Sequence, residues 1–294
     1  MKVAIYGQYY QNSTEPIIRD IFVFFNSNNI EMVIESNFLK MLYEKQLIKK
    51  EYKTFTSHKE LDKSFDLMLS IGGDGTILRA ATLVRNSGVP ILGINAGRLG
   101  FLASVQKEDI AAFLKMVVDK NYKISKRTLL KATVFPKNKD LMDINFAMNE
   151  ISVSRKDTTS MITIETYLDN ELLTSYWADG LIISTPTGST GYSLSCGGPI
   201  LTPEVKSLVI TPIAPHNLNA RPLVIPDHTE IKLRVSGREE QYLLSMDSRI
   251  TSVGNDSVIT IKKCSFQINM VEIPTETFFK TLRTKLLWGE DKRN

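Results

Sequence analysis

Over residues 1–120, short apolar runs alternate with longer segments whose apolar positions recur every three to four residues. The short runs predict buried strands, which are apolar on both faces in a parallel sheet, and the longer segments predict amphipathic helices. The predicted strands are 3–7, 31–35, 65–71 and 89–94, and the predicted helices are 15–26, 38–48, 76–85 and 107–118. Strands that alternate with helices indicate an α/β domain with a mostly parallel sheet.

From residue 121 the pattern changes to short strands separated by turn signals such as Asp169-Asn170. The predicted strands are 125–135, 151–154, 161–168, 172–177, 181–184, 208–213, 230–235, 241–246, 257–262 and 266–270. Many short strands indicate a β-rich second domain. The last periodic segment, 276–287, predicts a helix that returns to the first domain. The predicted domains are therefore 1–120 with 275–294, and 121–274.

Composition adds only a few limits to this picture. The 294 residues suit roughly two domains of about 150 residues each. A net charge of +4 is too small to argue for nucleic acid, although it suits anionic phosphates. Two cysteines, Cys196 and Cys264, fit a reducing cytoplasm. Because neither a signal peptide nor an apolar run of about 18 residues is visible, we expect a cytoplasmic protein with no membrane partner.

The segment Gly72-Gly73-Asp74-Gly75-Thr76 lies between a predicted strand and a predicted helix. Its glycines allow a tight turn and a close approach to a ligand, and the helix N-terminus attracts phosphate. A carboxylate there would repel phosphate, so its presence is better explained if Asp74 accepts a proton or binds a Mg²⁺ ion. The segment lacks the lysine of a P-loop and the third glycine of the dinucleotide fingerprint. A plain turn between strand and helix is the alternative.

Three further polar clusters stand out along the chain. Residues 95–102 follow the fourth predicted strand, at the edge where open α/β sheets bind ligands. Asn149-Glu150 has the side chains to hold ribose hydroxyls, although taken alone it is more typical of a surface turn. Residues 185–199 are rich in glycine and small hydroxyl residues, which predicts a ligand-wrapping segment outside the core, with Tyr192 as a stacking face. A flexible loop is the alternative for that segment.

Taken together, these clusters resemble the NAD kinase family over nearly the whole chain. The matching segments are 72–76, 95–102, 149–150, 179–180, 185–199 and 215–222. The resemblance implies an α/β domain, a β-rich domain and a homotetramer formed as a dimer of dimers. It implies a transferase that moves the γ-phosphate of ATP to the 2′-hydroxyl of the adenosine ribose of NAD, which gives NADP. Mg²⁺ would lie on the donor phosphates rather than on a side-chain cluster.

The resemblance also implies roles for individual residues. Asp74 would be the general base. Phosphate would be bound by Gly72, Gly73, Gly75 and Thr76. NAD would be bound by Asp74, Gly75, Arg79, Phe101, Asn149, Glu150, Asp179, Thr190, Gly191, Tyr192, Ser195 and Ala214. Within that set, Phe101 and Tyr192 would lie at the adenine, Glu150 at a ribose and Asp179 at the nicotinamide amide.

Three positions depart from the family pattern. Gly191 stands where alanine is usual, and Trp177 stands where a basic residue is common. Ser248-Arg249 follows an aspartate that the family often continues with a small residue and glutamine, so arginine replaces the side chain that implies a nucleotide contact in the family.

Two other functions fit parts of the sequence. The Gly-Gly-Asp-Gly core also occurs in lipid kinases of the diacylglycerol type, but residues 185–199 suit a dinucleotide better. A catalytically silent dinucleotide sensor would be expected to lack the base, whereas Asp74 is present.

Overall fold

The computed structural model describes residues 1–9, 14–97, 100–103, 105, 110–137, 144–156, 160–255, 257–274 and 276–288. Its strands are β1 (Lys2–Gly7), β2 (Glu31–Glu35), β3 (Lys53–Phe55), β4 (Leu67–Gly72), β5 (Ile91–Asn95), β6 (Lys123–Arg127), β7 (Leu130–Phe135), β8 (Phe146–Ala147), β9 (Glu150–Arg155), β10 (Ile162–Leu168), β11 (Glu171–Ala178), β12 (Gly180–Ser184), β13 (Ser207–Ile213), β14 (Leu223–Pro226), β15 (Ile231–Ser236), β16 (Gln241–Met246), β17 (Arg249–Gly254), β18 (Val258–Lys263) and β19 (Ile268–Glu272). Its α-helices are α1 (Thr14–Ser27), α2 (Ser36–Glu44), α3 (Asp74–Val84), α4 (Ile110–Val118), α5 (Tyr192–Ser195) and α6 (Phe278–Leu286).

The first of two compact units comprises residues 1–126 and 268–294. Its seven-stranded sheet has the order β3-β2-β1-β4-β5-β19-β6. The pairs β1–β2, β1–β4, β2–β3, β4–β5 and β5–β19 are all parallel, as the alternation of strands and helices predicts. Helix α1 buries one apolar face, including Ile18, Ile21 and Phe25, in the core of this unit.

The second unit comprises residues 127–267 and contains two six-stranded sheets. Their strand orders are β11-β10-β15-β18-β7-β8 and β14-β13-β12-β9-β16-β17, and every pairing that we describe in them is antiparallel. One hydrophobic core takes Ile164 and Leu233 from the first sheet and Leu181 and Leu244 from the second. The β-rich character of this part of the chain is therefore confirmed.

Several predicted boundaries move. The helix predicted at 38–48 ends at Glu44, because Gln46 turns to a φ of 54° and the N–H groups of Gln46 and Leu47 bond back to Tyr43 O and Leu42 O. The strand predicted at 125–135 is two strands, β6 and β7, which lie in different sheets. Of the helix predicted at 107–118, the first three residues lie outside the described part of the chain.

The strand predicted at 266–270 is β19, and it pairs with β5 through Met270 and Ile91. The predicted boundary at residue 274 assigns this strand to the second domain, but its pairing with β5 puts it in the sheet of the first unit. Strand β6 also lies in that sheet. The chain therefore leaves the first unit after residue 126, not 120, and returns to it at residue 268, not 275. Helix α6 belongs to the first unit, as expected. Within the described residues, no helix has the length and apolarity that crossing a bilayer requires.

Candidate active site

The glycine-rich segment connects β4 to α3, with Gly73 as the N-cap and Asp74 as the first helical residue. Gly72 has a φ of 155°, and a Cβ there would lie 2.2 Å from the Thr76 hydroxyl, so only glycine fits. A Cβ on Gly73 or Gly75 would meet nothing within 4 Å. The helix N-terminus is therefore open on the side of these two glycines, which suits the approach of a phosphate group.

Asp74 is held by the segment that follows β5. Its Oδ2 accepts a hydrogen bond from Phe101 N at 2.8 Å, and its Oδ1 accepts from Leu102 N at 3.0 Å and Ala103 N at 3.1 Å. A Cβ on Gly100 would lie 1.8 Å from Asp74 Oδ1, so this close approach requires glycine. The structure thus joins the cluster 72–76 to the cluster 95–102, of which residues 98 and 99 lie outside the described set.

Thr76 and Arg79 follow Asp74 on α3 and differ in exposure. Thr76 is fully buried, its hydroxyl donates to Gln8 Oε1 at 3.1 Å, and its N–H donates to Gly73 O at 2.9 Å. Both of its donors are therefore used within the chain, which argues against the predicted role of Thr76 in phosphate binding. Arg79 lies one turn after Gly75, is exposed, and forms no ion pair with a residue that the structure describes.

Phe101 is half-buried beneath the C-terminal helix. Its ring centroid lies 6.4 Å from that of Phe278, and Lys285 Nζ lies 4.8 Å from the Phe101 centroid. Since Phe101 N also bonds Asp74, α6 is linked to the Asp74 carboxylate through a single residue.

In the second unit, Asn149 and Glu150 stand at the start of β9. Asn149 Oδ1 and Glu150 Oε2 are buried, and neither has a hydrogen-bond partner among the described residues. Burial, and after it the nearby Asp247 carboxylate, raise the pKa of Glu150 to about 8. A hydrogen bond from the Tyr192 N–H has the opposite effect and lowers this pKa. A buried acceptor without a partner costs about 1–3 kcal/mol. Two such oxygens side by side suit a ligand that brings hydroxyl donors.

Asp247, which sequence reasoning did not select, lies directly behind this pair. Its carboxylate accepts from Met148 N at 3.0 Å, Asn149 N at 2.8 Å and Glu150 N at 3.3 Å. Arg249 Nη2 lies 3.8 Å from Asp247 Oδ2. The only signal in the sequence was the place of Asp247 at the end of an apolar strand, next to Ser248-Arg249.

The segment 185–199 contains more core than predicted. Thr185, Ser189 and Ser193 are fully buried, and their hydroxyls are bonded within the chain. Thr185 Oγ1 donates to Met148 O at 2.6 Å, Ser189 Oγ donates to Pro186 O at 2.7 Å, and Ser193 Oγ pairs with Thr211 Oγ1 at 2.8 Å. The expectation that this stretch lies outside the core was wrong, because hydroxyl groups that are satisfied internally can be buried.

The part of this segment that meets solvent is short. Tyr192 is 46% exposed and begins α5, and Ser195 is also exposed. Thr190 is half-buried, and its hydroxyl donates to Thr187 O at 3.2 Å. A Cβ on Gly191 would lie 3.1 Å from Glu150 Oε2, so the alanine that is usual in the family would fit tightly here. Thr190, Gly191 and Tyr192 therefore lie beside the Asn149–Glu150 pair.

Asp179 and Ala214 come together at the ends of β11 and β13. Asp179 N donates to Ile213 O at 3.0 Å, and Ala214 is exposed with a φ of 44°. The Asp179 carboxylate forms an ion pair with Arg155 at 3.1 Å, a second partner that the sequence did not reveal. Asp179 also contributes to the raised pKa of Tyr192, after burial and Cys196, which places the two side chains near one another.

Trp177 stands where the family commonly has a basic residue. The centroid of its ring lies 4.4 Å from that of the His216 ring. Among the described residues, no group of three or more histidine, cysteine, aspartate or glutamate side chains is arranged to hold a metal ion.

Comparisons with known proteins agree across the whole chain. Residues 3–122 match the family model for the ATP-NAD kinase N-terminal domain, and residues 148–273 match that for the ATP-NAD kinase C-terminal domain. The NAD kinases of Flavobacterium johnsoniae and Cytophaga hutchinsonii are 76% and 43% identical to this chain, and each alignment covers 100% of both proteins.

Two solved structures are similar in fold. The yeast NADH kinase complexed with NADH has a TM-score of 0.85 and 25% identity, over 99% of this chain and 89% of that one. An NAD kinase from Archaeoglobus fulgidus in complex with ATP has a TM-score of 0.76 and 26% identity, over 98% of this chain and 99% of that one.

Proposed function

The chain belongs to the NAD kinase family and phosphorylates NAD to NADP with ATP, and we propose which of its residues carry out that reaction. The acceptor is the 2′-hydroxyl of the adenosine ribose, and the donor is the γ-phosphate of ATP. The observation that carries the proposal is the Asp74 carboxylate, fixed by three N–H groups at an open helix N-terminus. Neither the lipid kinase nor the silent sensor is favoured by any observation.

In this proposal Asp74 is the general base. Its Oδ2 accepts one backbone N–H whereas its Oδ1 accepts two, so Oδ2 is the atom that takes the proton of the ribose hydroxyl. A carboxylate is a weak base for an alcohol, and the proton therefore moves late, as the bond to phosphorus forms. Most of the rate enhancement then comes from positioning and from neutralising charge.

Phosphate groups are bound at the N-terminus of α3. The N–H groups of Gly73 and Gly75 and the positive end of the helix dipole are the donors, and Arg79 supplies a positive charge on the same helix face. Gly72 shapes the turn. Mg²⁺ enters with the phosphates of ATP as part of the substrate.

We assign the NAD contacts unit by unit. In the first unit, Phe101 and Gly75 contact the adenosine part. In the second unit, Asn149 and Glu150 accept hydrogen bonds from ribose hydroxyls through two buried oxygens that have no hydrogen-bond partner among the described residues. Tyr192 stacks on the adenine, with Thr190, Gly191 and Ser195 beside it. Asp179 and Ala214 contact the nicotinamide end. The ion pair of Asp179 with Arg155 orients that carboxylate.

The assembly and location are inferred from the family resemblance. We expect a homotetramer, formed as a dimer of dimers, in the cytoplasm, where the free Cys196 and Cys264 stay reduced. Light scattering on the purified protein measures the assembly directly and should give four times the chain mass of 33.2 kDa.

A coupled assay tests the proposed function. Purified protein is mixed with NAD, ATP and Mg²⁺, and NADP is measured with an NADP-specific dehydrogenase. NADP should form and should require Mg²⁺. If no NADP forms while NAD still binds, the sensor hypothesis is favoured. If NAD does not bind and diacylglycerol is phosphorylated, the lipid kinase hypothesis is correct.

A further inference from the structure

Asp247 has a place in the second unit that resembles the place of Asp74 in the first. Each aspartate accepts hydrogen bonds from three consecutive backbone N–H groups, 101–103 for Asp74 and 148–150 for Asp247. The Asp247 side chain is only 5% exposed. Its own N–H donates to Glu150 O at 3.0 Å, so the two chain segments bond reciprocally. This arrangement fixes the backbone from which the Asn149 and Glu150 side chains project.

We propose that Asp247 is a positioning residue for NAD, which holds residues 148–150 so that the unpartnered oxygens of Asn149 and Glu150 meet the ligand. The inference rests on the proposed function, in which Asn149 and Glu150 bind NAD. Asp247 itself touches no substrate. It acts through the backbone, and its absence would let both side chains move at once.

An aspartate suits this position for two reasons. A carboxylate has enough lone pairs to accept three N–H donors at once, which an amide or hydroxyl oxygen cannot do with the same geometry. Asp247 also has a φ of 52°, in the left-handed region that aspartate tolerates better than most residues. Burial raises the pKa of Asp247, and the three N–H groups and Arg249 act in the opposite direction, in favour of its charged form.

Arg249 completes the support. Its Nη1 donates to Ile144 O at 2.8 Å, and its Nη2 donates to Phe146 O. The guanidinium group therefore fixes the chain immediately before Met148, while it lies 3.8 Å from Asp247. The arginine that replaces the usual family glutamine is thus bonded to the backbone next to the Asn149–Glu150 pair.

The charge of Asp247 gives the proposal a signature that a purely structural residue would lack. The ionisable groups that act on Glu150 are Asp247, in the turn between β16 and β17, and Tyr192 of α5, while Arg249 lies 3.8 Å from Asp247. Burial, and after it the Asp247 carboxylate, raise the pKa of Glu150 to about 8, so the neutral form of Glu150 is favoured below that pH. Ribose hydroxyls donate more strongly to an ionised carboxylate. NAD affinity should therefore rise as the pH increases through about 8 and Glu150 ionises. In a variant without the Asp247 charge, the pKa of Glu150 is lower, so this rise in affinity should occur at lower pH.

The experiment compares Asp247→Asn with Asp227→Asn. Asp227 is a matched control, because it is another buried aspartate of the same unit whose carboxylate pairs with Lys263 rather than with residues 148–150. NAD binding to the full-length protein is measured by calorimetry without ATP, at several pH values around 8. The dissociation constant for NAD should rise about tenfold or more in Asp247→Asn, the range expected for a hydrogen bond to a charged group. It should stay within about twofold of wild type in Asp227→Asn.

The outcomes separate the possibilities. A folded Asp247→Asn protein with wild-type NAD affinity and an unchanged pH dependence overturns the inference. If Asp247→Asn does not fold, Arg249→Gln decides: its NAD dissociation constant should rise severalfold, and an unchanged value overturns the inference. In a double variant with Glu150→Gln, the loss of NAD binding free energy should be smaller than the sum of the losses in the two single variants, because the two residues act on one contact. Wild-type protein that forms no NADP contradicts the proposed function instead.

Discussion

At the scale of single residues, the site depends on polar atoms that the chain leaves available. Asn149 Oδ1 and Glu150 Oε2 are buried without partners among the described residues, whereas the hydroxyls of Thr185, Ser189 and Ser193 are used within the fold. Composition makes these two kinds of polar residue look alike. Only the hydrogen-bond partners separate the atoms that stabilise the chain from those that remain for a ligand.

Replacing Tyr192 with alanine should weaken NAD binding. The side chain is 46% exposed beside the Asn149–Glu150 pair, and aromatic stacking on a base contributes about 1–3 kcal/mol. We expect the NAD dissociation constant, measured by calorimetry, to rise about tenfold or more, while the melting temperature changes little. Tyr43→Ala is the control, because Tyr43 is an exposed tyrosine of α2 outside the proposed site. An unchanged NAD affinity would remove Tyr192 from the site.

Replacing Glu150 with glutamine should stabilise the free protein and weaken NAD binding. The pKa of Glu150 is raised from 4.5 in the unfolded chain to about 8, so the folded state loses stability as the pH rises between these values. Glutamine removes the ionisation, and the melting temperature should exceed that of wild type by a larger margin at pH 8 than at pH 5. If the difference in melting temperature between Glu150→Gln and wild type is the same at pH 5 and pH 8, the predicted burial of this carboxyl group is contradicted.

At the scale of elements, the described strands that sequence analysis missed all lie at sheet edges, although the edge strands β6 and β11 were predicted. The strands β3, β8, β14 and β17 were missed, and each lies at the edge of its sheet. Edge strands pair on one side only and expose more of their side chains, so their apolar alternation is weak. Strands inside the sheets, such as β1 and β12, are mostly apolar and almost entirely buried, and they were predicted. The sheet to which β19 belongs could not be predicted, because its apolar pattern fits either unit.

The helix α6 provides a prediction at the same scale. Phe278 contacts the Phe101 ring, and the Phe101 N–H holds the Asp74 carboxylate. Phe278→Ala should therefore lower kcat severalfold, because the Asp74 carboxylate is less firmly placed. The control is Phe279→Ala on the same helix, since Phe279 is 57% exposed and its ring contacts Phe278 rather than Phe101. Steady-state kinetics in which both variants lose the same activity would argue against this link.

At the scale of the whole molecule, the two fold classes could be predicted because each has its own hydrophobic period. The Asp74 loop could also be found, since three glycines around a carboxylate at a helix start have few structural uses. The roles of Asp247, Arg249 and Arg155 could not be predicted, because these side chains bond to backbone or to another side chain that is distant in sequence. Their contacts with residues 144–150 and with Asp179 exist only once the β-rich unit has formed.

The central claim is that Asp74 accepts the proton of the ribose hydroxyl, and kcat of Asp74→Asn tests it most directly. The control is Asp66→Asn, because Asp66 also accepts a backbone N–H, from Lys2 at 2.7 Å, but lies outside the proposed site. We expect kcat to fall about a hundredfold or more in Asp74→Asn, as loss of a general base typically does, with NAD affinity largely kept. A folded Asp74→Asn enzyme whose kcat stays within about tenfold of wild type would contradict the claim.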